Sequence, residues 1–425
     1  MHDIGKNLVD IILTNNGYTV HNLGIKVSIS ELIEAQQKHN ADVIGMSGLL
    51  VKSTLIMKDN LEELNSRQLH DIPVILGGAA LTRTYVESDL RKIYKGRLFY
   101  GKDAFEGLST MGKLMEIKSS KVKDDSFGRE VRQRTTGPRK SEILAKIDPS
   151  TLPKHSPIVE TDNIVYQPPF IGSRIAKGIS VKDISNYLNE TSLFRNQWGF
   201  RPNKGETDAD FKTRVRAVLR EELDYAIANQ ILVPQVAWGY FSVRSKENSL
   251  IVYTDESNSD ILTTFEFPRQ KEEPYLCIAD FYRNQSSVEN DYASFFLVTM
   301  GSRVSVETLK LFKDNRYNDY VRLHGLGVEM AEALAEYWHR RIREEWGFAD
   351  QDGPDLIGLF RQKYRGGRYS FGYPACPNLE DNEKVVNILN GDKIGVTVSE
   401  GFQLYPEQTT LAIVCHHPKA KYFVA

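Results

Sequence analysis

His2 and Gly5 open this chain, Ser47 and Leu49 follow, with Ser53 close behind, and Gly77-Gly78 stands further on. A neutral imidazole near a protein surface can fill an axial position of a metal whose equatorial sites are taken by a macrocycle. Small residues serve a different need, a groove in which backbone closely approaches a bulky ligand tail, with Ser47 free to donate a hydrogen bond. A lone histidine near an N-terminus is ordinarily a solvated side chain; its company here is what points to chemistry.

A second string carries recognition groups, Arg368-Tyr369-Ser370-Phe371-Gly372-Tyr373-Pro374-Ala375-Cys376-Pro377. Two prolines and a glycine forbid a continuous helix, so it reads as a loop. Its arginine can grip a carboxylate bidentately, and exposed backbone groups can read the edge of a purine. On the residues alone, packing and ligand binding are both open for this loop.

The elements that must position these groups differ between the two halves. In the first, apolar periodicity predicts helices over 5–15, 28–39, 55–65 and 82–91 and from Ala104, alternating with strands over 18–23, 42–46, 73–76 and 98–100. Such alternation implies a parallel sheet with right-handed crossovers, and ligands dock beyond the carboxyl ends of its strands. Across 117–142 the pattern dissolves into charged and small polar residues, which reads as a linker. In the second half, long helices over 207–229 and 328–346 flank apparent strands over 249–253, 262–267 and 293–300 without regular alternation, an α+β arrangement with mainly antiparallel strands.

Composition sets the bounds. The chain has 425 residues, 41% hydrophobic and 26% charged, enough for two or three domains with full cores. A formal net charge of −2 argues against nucleic acid or an anionic membrane as partner. No long apolar span or signal peptide is evident. The three cysteines, Cys277, Cys376 and Cys415, are far apart and odd in number, which fits a reducing, cytoplasmic setting without a disulfide framework. Cys415-His416-His417 lacks a partner pair at metal-ligand spacing.

Residues 1–110 resemble the cobalamin-binding Rossmann-like domain whose motif reads D-x-H-x-x-G, then S-x-L, then G-G, matched by His2, Gly5, Ser47, Leu49, Gly77 and Gly78. The motif's aspartate has no counterpart, since the chain opens at Met1, and the expectation is an N-terminally truncated domain. The later loop resembles the R-x-x-x-G-Y-P-A-C-P segment of the S-adenosylmethionine-binding activation domain of cobalamin-dependent methionine synthases. That resemblance extends through 276–281, 331–336 and 417–423. It implies a Rossmann-like (flavodoxin-like) cobalamin domain over 1–116, a linker over 117–142 and an α+β activation domain over 143–425.

By the same resemblance His2 is an axial cobalt ligand, and Gly5, Ser47, Leu49, Ser53, Gly77 and Gly78 line the cobalamin groove. Arg368 holds the carboxylate of S-adenosylmethionine, Ser370 contacts it through backbone, Tyr373 helps close the site, Glu332 faces the cation and Tyr422 lies at the adenine end. Asn189 and Gln362 stand where the family carries acids, which weakens charge complementarity to a sulfonium and an ammonium while keeping hydrogen bonds. The implied activity is reductive methylation of cob(II)alamin with S-adenosylmethionine, using a flavodoxin-like electron donor, as part of a 5-methyltetrahydrofolate–homocysteine methyltransferase. The homocysteine and folate domains would lie elsewhere, and no residue here is catalytic beyond positioning cofactors. A non-enzymatic corrinoid methyl carrier serving separate methyltransferases is the alternative, which the loop at Arg368 disfavours.

Overall fold

The computed structural model describes residues 3–25, 27–48, 51–78, 81–119, 124–132, 147–314, 316–353 and 356–425. It divides into two compact units, Met1–Arg139 and Lys140–Ala425.

The first unit begins with α1 (Asp3–Asn15) and continues through α2 (Ile29–His39), β1 (Ile44–Ser47), α3 (Val51–Ser66), β2 (Val74–Gly77), β3 (Leu98–Gly101) and α4 (Ala104–Lys118). Its three strands form a parallel sheet in the order β1-β2-β3. Ser28 and Glu31 explain where α2 starts: Ser28 Oγ accepts from the Glu31 N–H, and the Glu31 carboxylate accepts from the Ser28 N–H at 2.8 Å. Asp103 caps α4 in the same way, accepting from the Glu106 N–H at 2.9 Å. Ile33, Ile44, Leu61, Leu64, Val74, Leu76, Val86, Leu90 and Leu98 share one core. Burying each such side chain contributes roughly 1.5–3 kcal/mol, which fixes the layers.

Two local expectations need correcting. The predicted strand over 18–23 does not form. Its Asn22 side chain donates to Asn7 and Asp10 of α1, at 3.1 and 2.9 Å, and His21 stacks on His39 at 3.7 Å, so side-chain contacts hold a segment that joins no ladder. The helix predicted over 82–91 contains a π-helical turn, Tyr85–Leu90, running into Arg91–Ile93. Within the stretch expected as a linker, residues 124–132 lie along the outer side of β3. Leu98 N–H donates to the Gly128 carbonyl at 2.8 Å, Arg97 donates to the carbonyls of Asp124 and Phe127 at 3.0 and 2.6 Å, and Phe127 packs on Phe99 at 4.6 Å. That strap supplies an edge strand with the partner it otherwise lacks.

The second unit is built on a seven-stranded sheet ordered β7-β6-β5-β8-β12-β9, with β4 also paired to β5. Its strands are β4 (Gly172–Lys177), β5 (Gln235–Lys246), β6 (Ser249–Tyr253), β7 (Ile261–Glu266), β8 (Asp291–Thr299), β9 (Gly367–Tyr369) and β12 (Thr409–Cys415), every pairing antiparallel. A small separate pair, β10 (Thr397–Val398) and β11 (Leu404–Tyr405), precedes β12. Four helices of eight residues or more accompany them among the described residues: α5 (Asp208–Ala228), α6 (Arg303–Lys313), α7 (Tyr317–Trp346) and α8 (Asp381–Ile388). Thr207 caps α5, accepting from the Asp210 N–H at 3.2 Å.

The long helix α7 starts well before the predicted 328. Gly325 and Gly327 both sit inside the helix. A β-carbon on Gly325 would lie 2.8 Å from the Gln197 side chain, and one on Gly327 would lie 2.8 Å from Val304. They are glycines because neighbouring elements press against the helix there, and that packing offsets the ~1 kcal/mol each costs in propensity. Gly347, at φ 92°, ends the helix with its N–H on the Arg343 carbonyl.

Candidate functional site

The first unit collects its small residues where the parallel strands end. Ser47 is in register with Gly77, and Gly77 with Gly101. Gly48 N–H donates to the Gly77 carbonyl at 3.1 Å. Gly78 adopts φ 108°, and a β-carbon there would stand 2.1 Å from the Gly48 carbonyl oxygen, so this crossing admits only glycine. Ser53, in the first turn of α3, lies where a β-carbon on Gly48 would meet its own at 2.5 Å. Backbone rather than side chain therefore forms the carboxyl edge, which suits a groove that a ligand tail approaches closely. Gly5 belongs to the first turn of α1, while His2 and Leu49 lie outside the described residues.

In the second unit Arg368 occupies the middle of β9, paired with Val414 of β12. Gly366 and Gly367 let this strand in: a β-carbon on either would lie 2.2 Å from the Cys415 carbonyl oxygen or 2.8 Å from that of Ala420. The Arg368 guanidinium donates from Nη2 to Glu336 Oε1 at 2.7 Å, and Glu332 stands 4.0 Å away. Its Nη1 is buried with no hydrogen-bond partner among the described residues. A buried, unpaired charged donor is costly, and a water or a ligand atom that reaches it would be held strongly.

The loop after Arg368 alternates its side chains. Phe371 points inward onto Phe265 and Phe267, at ring separations of 5.4 and 6.4 Å, and Ala375 and Cys376 are buried. Gly372 at φ 91° and the Tyr373–Cys376 bridge turn the chain. Tyr373 is left 57% exposed on the rim. The surrounding protein, then Glu332 and Tyr422, raise its hydroxyl pKa against the pull of Arg368, so all three lie within electrostatic reach of Tyr373. The Ser370 carbonyl accepts from Cys376 Sγ at 3.0 Å and from the Tyr373 N–H at 3.4 Å, so its acceptor is largely spent on the loop itself. At the other side of the loop Phe423 packs on Phe281 and Tyr369 while Tyr422 stays 47% exposed, a second outward tyrosine.

Glu332 sits at this rim with half its side chain exposed. Crowding by protein raises its carboxyl, Arg368 opposes that, and Glu329 and Glu336 reinforce it. Asn189 is brought toward the same helix indirectly. Its Oδ1 caps a short turn by accepting from the Ser192 N–H at 3.1 Å, and Ser192 Oγ donates to buried Glu329 at 2.7 Å, as Gln197 does at 3.1 Å. Gln362 is an exposed residue at φ 56°, its carbonyl 3.4 Å from Lys421 Nζ.

Sequence reasoning missed the continuation of this stripe. Glu332, Glu336, His339 and Arg343 recur at helical spacing along α7, a signal that was present in the sequence. His339 is fully buried with neither ring nitrogen partnered among the described residues, and burial, then Arg343, Arg368 and Lys421, drive its pKa well below the usual imidazole range. Arg343, equally buried, forms a two-point ion pair with Asp352 at 3.0 and 2.6 Å and lies 4.4 Å over the Tyr364 ring.

Comparison with known proteins agrees with this division. Residues 180–425 match the model of the vitamin B12 dependent methionine synthase activation domain, and residues 1–109 match the B12 binding domain. The whole chain aligns with methionine synthases of Mycobacterium tuberculosis, at 45% identity over 451 residues, and Mycobacterium leprae, at 44% over 454 residues. It spans 38% of the length of each of these relatives. The crystal structure of the MetH reactivation domain bound to AdoHcy superposes with a TM-score of 0.56 at 25% identity, covering 60% of this chain and 82% of that one. Among the described residues no helix is long and apolar enough to cross a membrane. With the activation-domain model matching more than half of its length, the chain belongs to the vitamin B12 dependent methionine synthase activation-domain family.

Proposed function

We propose that this chain is the cobalamin-binding and reactivation portion of a cobalamin-dependent methionine synthase, a 5-methyltetrahydrofolate–homocysteine methyltransferase. Bound cobalamin would supply the cobalt that carries a methyl group, and S-adenosylmethionine the methyl that restores it after oxidation. The chain's own residues bind and orient. Ser47, Ser53, Gly77 and Gly78 would offer the edge for the cofactor tail, Gly5 and Leu49 would complete the groove, and His2 would be the residue that holds the cobalt. Arg368 Nη1 takes the carboxylate of S-adenosylmethionine, Glu332 faces its cationic centre, and Tyr373 and Tyr422 flank the ligand at the rim, with Ser370 and Asn189 at its margins. The domain limits 1–116 and 143–425, with a connector over 117–142, belong to this reading. So do a flavodoxin-like electron donor, homocysteine and folate domains outside this chain, and a cytoplasmic setting.

The observation that carries the reading is the buried, unpaired Nη1 of Arg368, inside a segment matched by the activation-domain family. Calorimetric titration of the chain with S-adenosylhomocysteine is the test. Arg368→Ala removes a charge-assisted contact and should weaken binding by about 100-fold. Unchanged affinity would refute the carboxylate assignment. A methylcobalamin spectrum of the base-off, His-on type, lost in His2→Ala, checks the other site.

A further inference from the structure

The ion pair behind Arg368 has a consequence for how the site is set. Arg368 reaches Glu336 through one nitrogen only, Nη2 to Oε1 at 2.7 Å, with the two side chains 18% and 21% exposed. The second acid, Glu332, is 4.0 Å away and half exposed, too far for a hydrogen bond. A guanidinium is planar and rigid, so fixing one edge fixes the direction of the other. Here the fixed edge is Nη2 and the other is Nη1, which is buried and has no hydrogen-bond partner among the described residues.

Resting on the reading of Arg368 given above, we propose that Glu336 is the positioning residue of this site: it clamps Nη2 so that Nη1 is already aimed at the carboxylate of the amino-acid moiety when the ligand arrives. Two features favour a clamp. Glu336 lies on α7, a 30-residue helix packed along much of its length, so its backbone is held. Arg368 lies on β9, tied by its strand register to β12. Both ends of the pair thus stand on regular elements, the arrangement that holds a binding geometry best. One turn further along the helix, fully buried His339 is held neutral, so no second cation is created beside the arginine.

A carboxylate beside an arginine can also act in the opposite sense, by competing with the ligand for the guanidinium. The two roles predict opposite signs. Calorimetric affinities of the full chain would be measured for S-adenosylhomocysteine and for 5′-methylthioadenosine, which keeps the adenosine and thioether but has no carboxylate. With Glu336 as a clamp, Glu336→Ala weakens S-adenosylhomocysteine by about tenfold, near the worth of one charge-assisted hydrogen bond, and Glu336→Gln, which keeps an acceptor, by less. Affinity for 5′-methylthioadenosine stays that of the native chain in both. Tighter binding of S-adenosylhomocysteine by either variant, no change in it, or equal weakening of both ligands overturns the proposal, the last because a loosened fold would spare neither. Arg368→Lys separates the two levels of argument. If it leaves the ratio of the two affinities unchanged, the carboxylate assignment itself fails; if it collapses the ratio while Glu336→Ala does not, only the clamp fails.

Discussion

The carboxyl edge of the first unit and the Arg368 region of the second are built by opposite means. At the first, Gly48, Gly77 and Gly78 bring backbone to within contact of backbone, and the site is defined by side chains that are missing. At the second, Glu336, His339, Arg343 and Arg368 crowd charged and polar groups into a shielded layer, and the site is defined by what must be neutralised. The first arrangement tolerates no added atom, whereas the second tolerates no removed charge.

That contrast can be broken from either end. Asp352→Ala leaves the buried Arg343 guanidinium without its two-point partner, and losing one member of a buried pair costs about 3–5 kcal/mol. Differential scanning calorimetry should show the transition of the second unit falling steeply while that of the first stays in place. Asp352→Asn, which keeps acceptor and volume, should recover part of the loss. Gly78→Ala tests the other end. At φ 108°, with the Gly48 oxygen 2.1 Å from the new carbon, the backbone must move, at a cost of about 3 kcal/mol. The first unit should then melt early, and S-adenosylhomocysteine binding should stay unchanged. Loss of that binding in Gly78→Ala would show that the two regions are not independent in this sense.

How much of each region was legible follows from the same contrast. Glycines and a short motif are visible in a sequence, so Ser47, Gly77 and Gly78 can be placed at strand ends from the residues alone, and the fold sets Ser47 and Gly77 side by side. The arginine loop was equally legible because Gly372, Pro374 and Pro377 punctuate it. Buried charge was not. Glu336, His339 and Arg343 look like the solvated face of an amphipathic helix until β9, the Tyr364 ring and the 349–353 turn are seen to cover them. The start of α7 was misjudged for a related reason: Gly325 and Gly327 answer to Trp198, Gln197 and Val304, contacts distant in sequence. The strand expected over 18–23 does not form because pairing is a property of a partner, and Asn22 bonds to α1 instead.

The smallest expected effect concerns His339 and reads the buried layer without removing a charge. Its folded pKa lies well below the ordinary value near 6.5, because burial and the neighbouring cations Arg343, Arg368 and Lys421 disfavour the imidazolium. The unfolded chain therefore binds a proton at this residue that the folded chain refuses. The stabilisation is present above about pH 6.5 and is lost as pH falls below it, at a slope of at most about 1.4 kcal/mol per pH unit for one proton. His417, also depressed by burial, adds in the same direction, so the native slope exceeds that of one group. Replacing His339 by Leu, close in volume and without a titrating group, should remove one proton's worth of the slope between pH 6.5 and 5 in urea titrations of the second unit. An unchanged slope would mean that His339 gains a partner or a path to water in solution, and the buried layer would then be wetter than its side chains suggest.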